Sequence, residues 1–517
     1  MRSLSTLKNL IMSLVYEIML IVFGLIVPKL IIETYGSEVN GLTSTITQIL
    51  TILNLLQAGA VGASIYQMYK PIVQKDYYQI SRIIDSSKCY FRRIGLIFLI
   101  LVAIVAPIMG FGLESELAVW EKTLAFWILG VNGAFYFFFT SWFDILFSSH
   151  QKRFIMSFAS IADKLLYYGL LFVIVFLKLH FIWMYVAVLI GTCTRVIFLY
   201  VMYCKEFKHL IVSVEGDSNF KINNKGYLLC NQIASQAVDG LPTVMITSLA
   251  GLASASVYAV YNLVQNMIKM VVRTIQLSVS EVFGNLVASE NEERVCRVYN
   301  LMEFVFFLVA IVLCSCAAFL FMPFIYLYTD YNSLDVTYMY PILALIIVGY
   351  DVLYCMYMPC YTLTNVYGLF KETYLQAVVC AVIAVGCSLL CGLIYWPLVM
   401  LGPMFYYFSS LIYRLAVAKS KVSWLKMSSF VRRMVMLLIT VSLSVIISGF
   451  VYSNDYVSTW WQWIFHAIVC GMLVLGFVGI YILLFEREAF IWAFGYAKRL
   501  IVRKFGMAKK GVDRNAV

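Results

Sequence analysis

Charge is scarce in this sequence. Only 13% of its residues are Asp, Glu, Lys or Arg, against roughly 25% in soluble domains. A water-soluble fold of 517 residues that are 62% hydrophobic is excluded, because too much apolar surface would stay wet. No polar stretch is long enough to hold a nucleotide-binding domain, and no GxxxxGK[ST] loop occurs. HExxH and GxSxG are also missing, so the chain reads as a non-enzyme. The four histidines (His150, His180, His209, His466) are too scattered to make a metal centre. The thirteen cysteines form no CxxC pair with a metal partner and leave the short outer loops empty, so they read as small buried residues rather than a disulfide frame. No small-residue cleavage site follows the first apolar stretch, so a cleaved signal peptide is not expected.

What remains is long apolar runs, with a mean hydropathy of +0.88. A bilayer core of about 30 Å needs about 20 apolar residues in a helix. The runs are continuous rather than alternating, which favours helices over a β-barrel. The expected fold is therefore all-α integral membrane with about fourteen spans. They fall near 10–32, 42–67, 94–112, 123–147, 154–177, 181–203, 228–250, 255–284, 299–322, 338–364, 373–392, 396–416, 432–452 and 462–485.

Basic residues give the orientation. With an inside amino terminus, thirty of the 38 Lys and Arg residues fall on inner segments, and only Lys122 and Lys178 on outer loops. The positive-inside rule then places both termini in the cytoplasm. The net charge of +11 sits on that face, where anionic membrane lipid attracts it, and implies no nucleic acid. The segment KPIVQKDYYQISRIIDSSK reads as an interfacial amphipathic helix.

A shift of 218 residues superposes the first twelve spans on themselves by hydropathy and loop spacing. Six spans is an even number, so both halves insert with the same orientation, as in transporters that rock two bundles about a central site. The expected organisation is a bundle over 1–227, a second over 228–430, two additional helices over 431–485 and a basic tail over 486–517.

Polar residues at membrane depth are costly, so they mark candidate sites. In span eight Asn262, Asn266, Lys269, Arg273, Gln276 and Ser280 follow one face of a helix. Two cations on such a stripe want water, an anion or a carboxylate, unless they snorkel to the inner surface. Span two carries Ser44, Gln48, Thr51 and Asn54 along one side, suited equally to interhelical glue and to a cavity wall. Span seven places Asp239 beside Pro242, where a kink and a carboxylate suit proton or sodium coupling or a structural ion pair. Glu17 and Asp351 are weaker candidates for that role. Asp144 and Asp163 read as structural.

The stretch YGSEVNGLTSTITQILTILNLLQAGAVGASIYQMYKPIVQKDYYQI resembles the second span and following loop of bacterial polysaccharide flippases. LFSSHQKRF and NVYGLFKETY are similar to that family's loops after spans four and ten. These are the oligosaccharide-lipid exporters of the multidrug/oligosaccharidyl-lipid/polysaccharide (MOP) superfamily. The resemblance covers essentially the whole chain and implies two MATE-like six-helix bundles plus two extra helices. It implies an undecaprenyl-pyrophosphate-linked oligosaccharide as substrate, no cofactor, and a polysaccharide polymerase and chain-length regulator as partners. Where family members often carry an acidic residue, this chain has Gln57, which puts ion coupling at that position in doubt. On this reading Lys269 and Arg273 meet the pyrophosphate while Asn262, Asn266 and Gln276 meet sugar hydroxyls. A peptidoglycan-precursor flippase, a drug or cation antiporter and a membrane polysaccharide polymerase are the alternatives.

Overall fold

In the computed structural model of the chain, helices follow the apolar runs closely. The structure describes residues 2–487, apart from 58–59, 114, 151, 209–225, 290–291, 330–335, 423, 426 and 453–456. The basic tail expected over 486–517 lies almost wholly outside the described residues, as do Ala58 and Gly59 beside Gln57.

Fifteen helices appear among the described residues. They are α1 (Arg2–Tyr35), α2 (Ser37–Leu53), α3 (Ala60–Gln74), α4 (Tyr77–Gly112), α5 (Val119–Phe135), α6 (Ser141–Ser149), α7 (Arg153–Phe176) and α8 (Ile182–Glu206). Then come α9 (Gly226–Ser289), α10 (Glu292–Thr329), α11 (Pro341–Val366), α12 (Phe370–Ile394), α13 (Leu401–Lys421), α14 (Met427–Val451) and α15 (Trp460–Phe485). A π-helical turn, Tyr136–Thr140, joins α5 to α6.

Among the described residues, twelve helical segments are long and apolar enough to cross a membrane. One of them, Cys230–Leu277, is two helices joined at Gly251. The α13 helix, expected as part of a span, falls outside those twelve. Large side chains such as Phe176 (86% exposed) and Phe111 (78%) stand on outer faces. Such exposure is untenable in water and natural against lipid. The fold is an all-helical multi-pass membrane architecture.

The interfacial helix expected over 70–88 takes another form. Asp76 caps α4, its Oδ1 accepting from the Gln79 amide at 3.0 Å. From there one unbroken helix of 36 residues runs to Gly112, roughly 54 Å at 1.5 Å per residue. That exceeds the bilayer core of about 30 Å, so the polar first turns of α4 stand beyond it. Propensity and a cap extend the spanning helix where the amphipathic pattern alone suggested a separate element.

Two joints share one backbone conformation. Gly36 ends α1 at φ 87°, ψ 169°, and Gly251 breaks α9 at φ 82°, ψ 175°. This region is open essentially to glycine alone. The two glycines fall close to the register of the 218-residue shift.

The chain divides into two compact units. The first comprises Met1–Leu263, Thr329–Tyr338 and Ala377–Gly402; the second comprises Val264–Tyr328, Met339–Gln376 and Pro403–Val517. In the first, α2 crosses the start of the second half of α9. Asn40 Nδ2 donates to Ser256 Oγ at 2.8 Å, and the Ser37 and Ser256 hydroxyls both meet Tyr338 OH. In the second, α14 and α15 are tied to α10 by Arg433, which is 1% exposed. Its Nη1 donates to Glu303 at 2.8 Å, and its Nε and Nη2 form a fork on Glu486 at 3.1 and 2.9 Å. Arg432 adds a further bond to Glu486 at 2.6 Å.

Candidate functional site

In the second unit the polar stripe of α9 meets α11. Lys269 is half-buried. Its Nζ lies 4.6 Å from the Tyr350 ring centroid and 5.8 Å from that of Tyr354, within cation–π range. Asp351, fully buried, follows Tyr350 on the same helix. The structure thus brings two candidates, Lys269 and Asp351, to one helix pair. Arg273 and Asn266, one turn to either side of Lys269, are exposed. Gln276 Nε2 donates to Ser280 Oγ at 2.9 Å along the same face.

Three further candidates lie in the first unit. Asn262 is half-buried near the end of that unit's share of α9. Asp239 is half-buried on the first half of α9. Its neighbour Gly240 packs against Gln48 of α2: a Cβ there would stand 2.4 Å from Gln48 Nε2. Thr45 and Thr247 hydrogen-bond at 2.6 Å along the same crossing. The polar side of α2 therefore serves, in part, as glue to α9. Glu17 is half-buried on α1, which packs on α7 through a Phe23–Tyr168 stack at 3.9 Å. Asp163 is buried on α7 where Gly191 lets α8 close in; a Cβ at Gly191 would meet its Oδ1 at 2.5 Å.

Sequence reading missed a tyrosine ladder. Tyr350 and Tyr354 stack at 6.3 Å, and Tyr407 of α13 sets its ring edge-on to Tyr350, Tyr354 and Tyr357 at 5.1 to 5.4 Å. Arg414 of α13, 1% exposed, lies 5.4 and 5.1 Å from the rings of Tyr357 and Tyr361. Its Nη1 donates to Thr364 Oγ1 at 2.6 Å. The signal was present: tyrosines at 350, 354, 357 and 361 repeat at helical spacing. These rings are mostly core, so they hold the two cations in place rather than forming an open wall.

All thirteen cysteines are free thiols; Cys314, Cys355, Cys360 and Cys470 are buried, while Cys89 is exposed. Among the described residues no group of three or more His, Cys, Asp or Glu gathers to hold a metal.

No protein-family model matches the chain, and no curated protein matches it either. Solved structures do match. The chain is similar to "Lipid II flippase MurJ, inward closed conformation" over 92% of its own length and 99% of the other, with a TM-score of 0.62 and 15% identity. It is similar to an inward-facing multidrug resistance MATE family transporter of the MOP superfamily over 77% and 93%, at TM-score 0.59 and 14% identity. A MOP superfamily transporter from Pyrococcus furiosus, whose binding pocket is described as of reverse polarity, matches over 86% and 95%, at TM-score 0.54 and 14% identity. The chain has the fold of MOP superfamily transporters. These neighbours are transporters and a flippase, not enzymes.

Proposed function

We propose that the protein is a flippase for undecaprenyl-pyrophosphate-linked oligosaccharides in the bacterial cytoplasmic membrane, serving surface polysaccharide synthesis. The observation that carries the proposal is the pair of cations on α9, half-buried Lys269 and exposed Arg273, in a chain with a transporter fold. A pyrophosphate headgroup calls for fixed positive charge, and Arg suits phosphate through its planar fork. Asn262, Asn266 and Gln276 would meet sugar hydroxyls. The two six-span bundles would rock in alternating access, with both termini cytoplasmic and with a polymerase and chain-length regulator taking up the product. Coupling to a proton or sodium gradient would fall to Asp239, Glu17 or Asp351.

A second reading is favoured by one observation. The neighbour matched over 92% of this chain is a lipid II flippase, so a peptidoglycan lipid precursor is the competing substrate. A drug antiporter would want a carboxylate-dominated cavity, which the α9 stripe does not offer.

The test is Lys269→Gln with Arg273→Gln in a strain that depends on the chain for surface polysaccharide. Loss of polysaccharide with protein level unchanged supports the assignment, and normal polysaccharide overturns it. Rescue of a strain depleted of its lipid II flippase would favour the second reading.

A further inference from the structure

A second cationic feature lies in the first unit, on helices that carry none of the residues proposed to meet the substrate or a coupling ion. Lys88 and Arg92 of α4 line a groove of about 630 Å³ with Phe138, Trp142, Ile197 and Tyr200. Lys88 Nζ sits 4.4 Å from the Trp142 ring centroid and 3.5 Å from Asp85 on its own helix. Arg92 is exposed, and among the described residues it has no ion pair.

The groove's position in the sequence fixes its depth. Lys88 and Arg92 immediately precede the apolar run from Ile94 to Gly112, so they stand at the boundary between headgroups and hydrocarbon. Beyond them the wall turns apolar and outward-facing: Phe139 is 45% exposed and Ile197 64%. Tyr200, 55% exposed, is a ring suited to that boundary.

The wall is built at a backbone irregularity. Phe138 and Phe139 belong to the π-helical turn Tyr136–Thr140, a rare element that recurs at functional sites. Gly95 gives it room, since a Cβ there would stand 3.1 Å from Phe138. A groove that is cationic at headgroup depth and apolar below it complements one kind of molecule.

We propose that this groove holds an anionic phospholipid, its phosphate on Lys88 and Arg92 and its acyl chains along Phe139 and Ile197. None of the residues proposed to meet the substrate lines this groove. Its occupant is a resident membrane lipid, and the positive-inside expectation places it in the inner leaflet.

The experiment uses the full chain in phosphatidylcholine vesicles doped with phosphatidylglycerol, extracted and read by native mass spectrometry. The wild type should retain phosphatidylglycerol over phosphatidylcholine. Lys88→Gln with Arg92→Gln should lower that retention roughly tenfold or more, from loss of two charges at the headgroup. Lys75→Gln with Arg93→Gln removes equal charge from exposed positions outside the groove and should leave retention unchanged. If the first double variant is not monodisperse, Arg92→Gln alone, at an exposed position, gives the reading. Equal loss in both double variants, or no preference in the wild type, overturns the proposal.

Discussion

Gly41 of α2 lies against the backbone of Leu252 so closely that a Cβ at Gly41 would stand 1.8 Å from the Leu252 carbonyl oxygen. The same atom would be 3.1 Å from the Ser256 amide nitrogen. The obstacle is backbone, which cannot swing aside as a side chain would. Small residues let membrane helices approach this closely. Gly41→Ala is therefore expected to lower stability by about 1–3 kcal/mol or more, read as a drop in melting temperature in detergent. Gly24→Ala, where nothing lies within 4 Å, should leave it nearly unchanged.

Arg414 tests whether the tyrosine ladder needs a guanidinium or only a charge. It lies against the rings of Tyr357 and Tyr361 and donates to Thr364. Lys cannot reproduce a planar fork over two rings. Arg414→Lys should lose about 1.5–3 kcal/mol, the range for a hydrogen bond to a charged group. Equal melting temperatures for wild type and Arg414→Lys would show that charge alone suffices.

The Arg433 fork should be among the most sensitive points in the second unit. Removing one partner of a buried ion pair costs about 3–5 kcal/mol, because the other charge stays buried. Arg433→Gln leaves Glu303 without its cation and Glu486 with Arg432 alone, and both carboxylates are 3% exposed. Thermal unfolding of Arg433→Gln should come well below that of Arg294→Gln, a change on the polar first turns of α10.

Acid should weaken the same anchor. Burial pushes the Glu486 carboxyl up, but hydrogen bonds from Arg433 and Arg432 more than offset it and hold it below its ordinary value. A lowered folded-state value means the stabilisation is fully present above the unfolded value of about 4.3 and fades as pH falls through the folded one. Melting temperature should therefore decline below about pH 4.3, and Glu486→Gln should flatten that decline. An unchanged slope in Glu486→Gln would assign the acid sensitivity elsewhere.

Coupling separates the three carboxylate candidates. Asp239→Asn should remove any dependence of transport on the proton or sodium gradient in reconstituted vesicles, whereas Glu17→Gln and Asp351→Asn should each leave it in place. Retained dependence in Asp239→Asn moves the role to whichever of the other two abolishes it.

The spans were legible because a bilayer imposes length and hydropathy on each helix separately. Residues 154–177 and 462–485 reappear as Arg153–Phe176 and Trp460–Phe485, and the break between spans seven and eight reappears at Gly251. The polar face of α9 was legible for the same local reason, since its spacing lies within one helix. What surrounds that face was not. Lys269 meets Tyr350, and Arg433 meets Glu303, across long stretches of chain that no periodicity reports. The overhang of α4 was missed because the amphipathic pattern of residues 70–88 does not say whether a helix stops or continues.

Gly36 and Gly251 carry a consequence for how such a chain can diverge. A side chain in a helix face can be exchanged for another of similar size and polarity, so two matched spans can lose nearly all identity while keeping their packing. A backbone bend near φ 85° admits no such exchange. Drift is therefore wide along the helix faces, narrow where helices touch, as at Gly41, and blocked at the two joints. Saturation mutagenesis should show tolerance at exposed helix positions and the same intolerance at both joints.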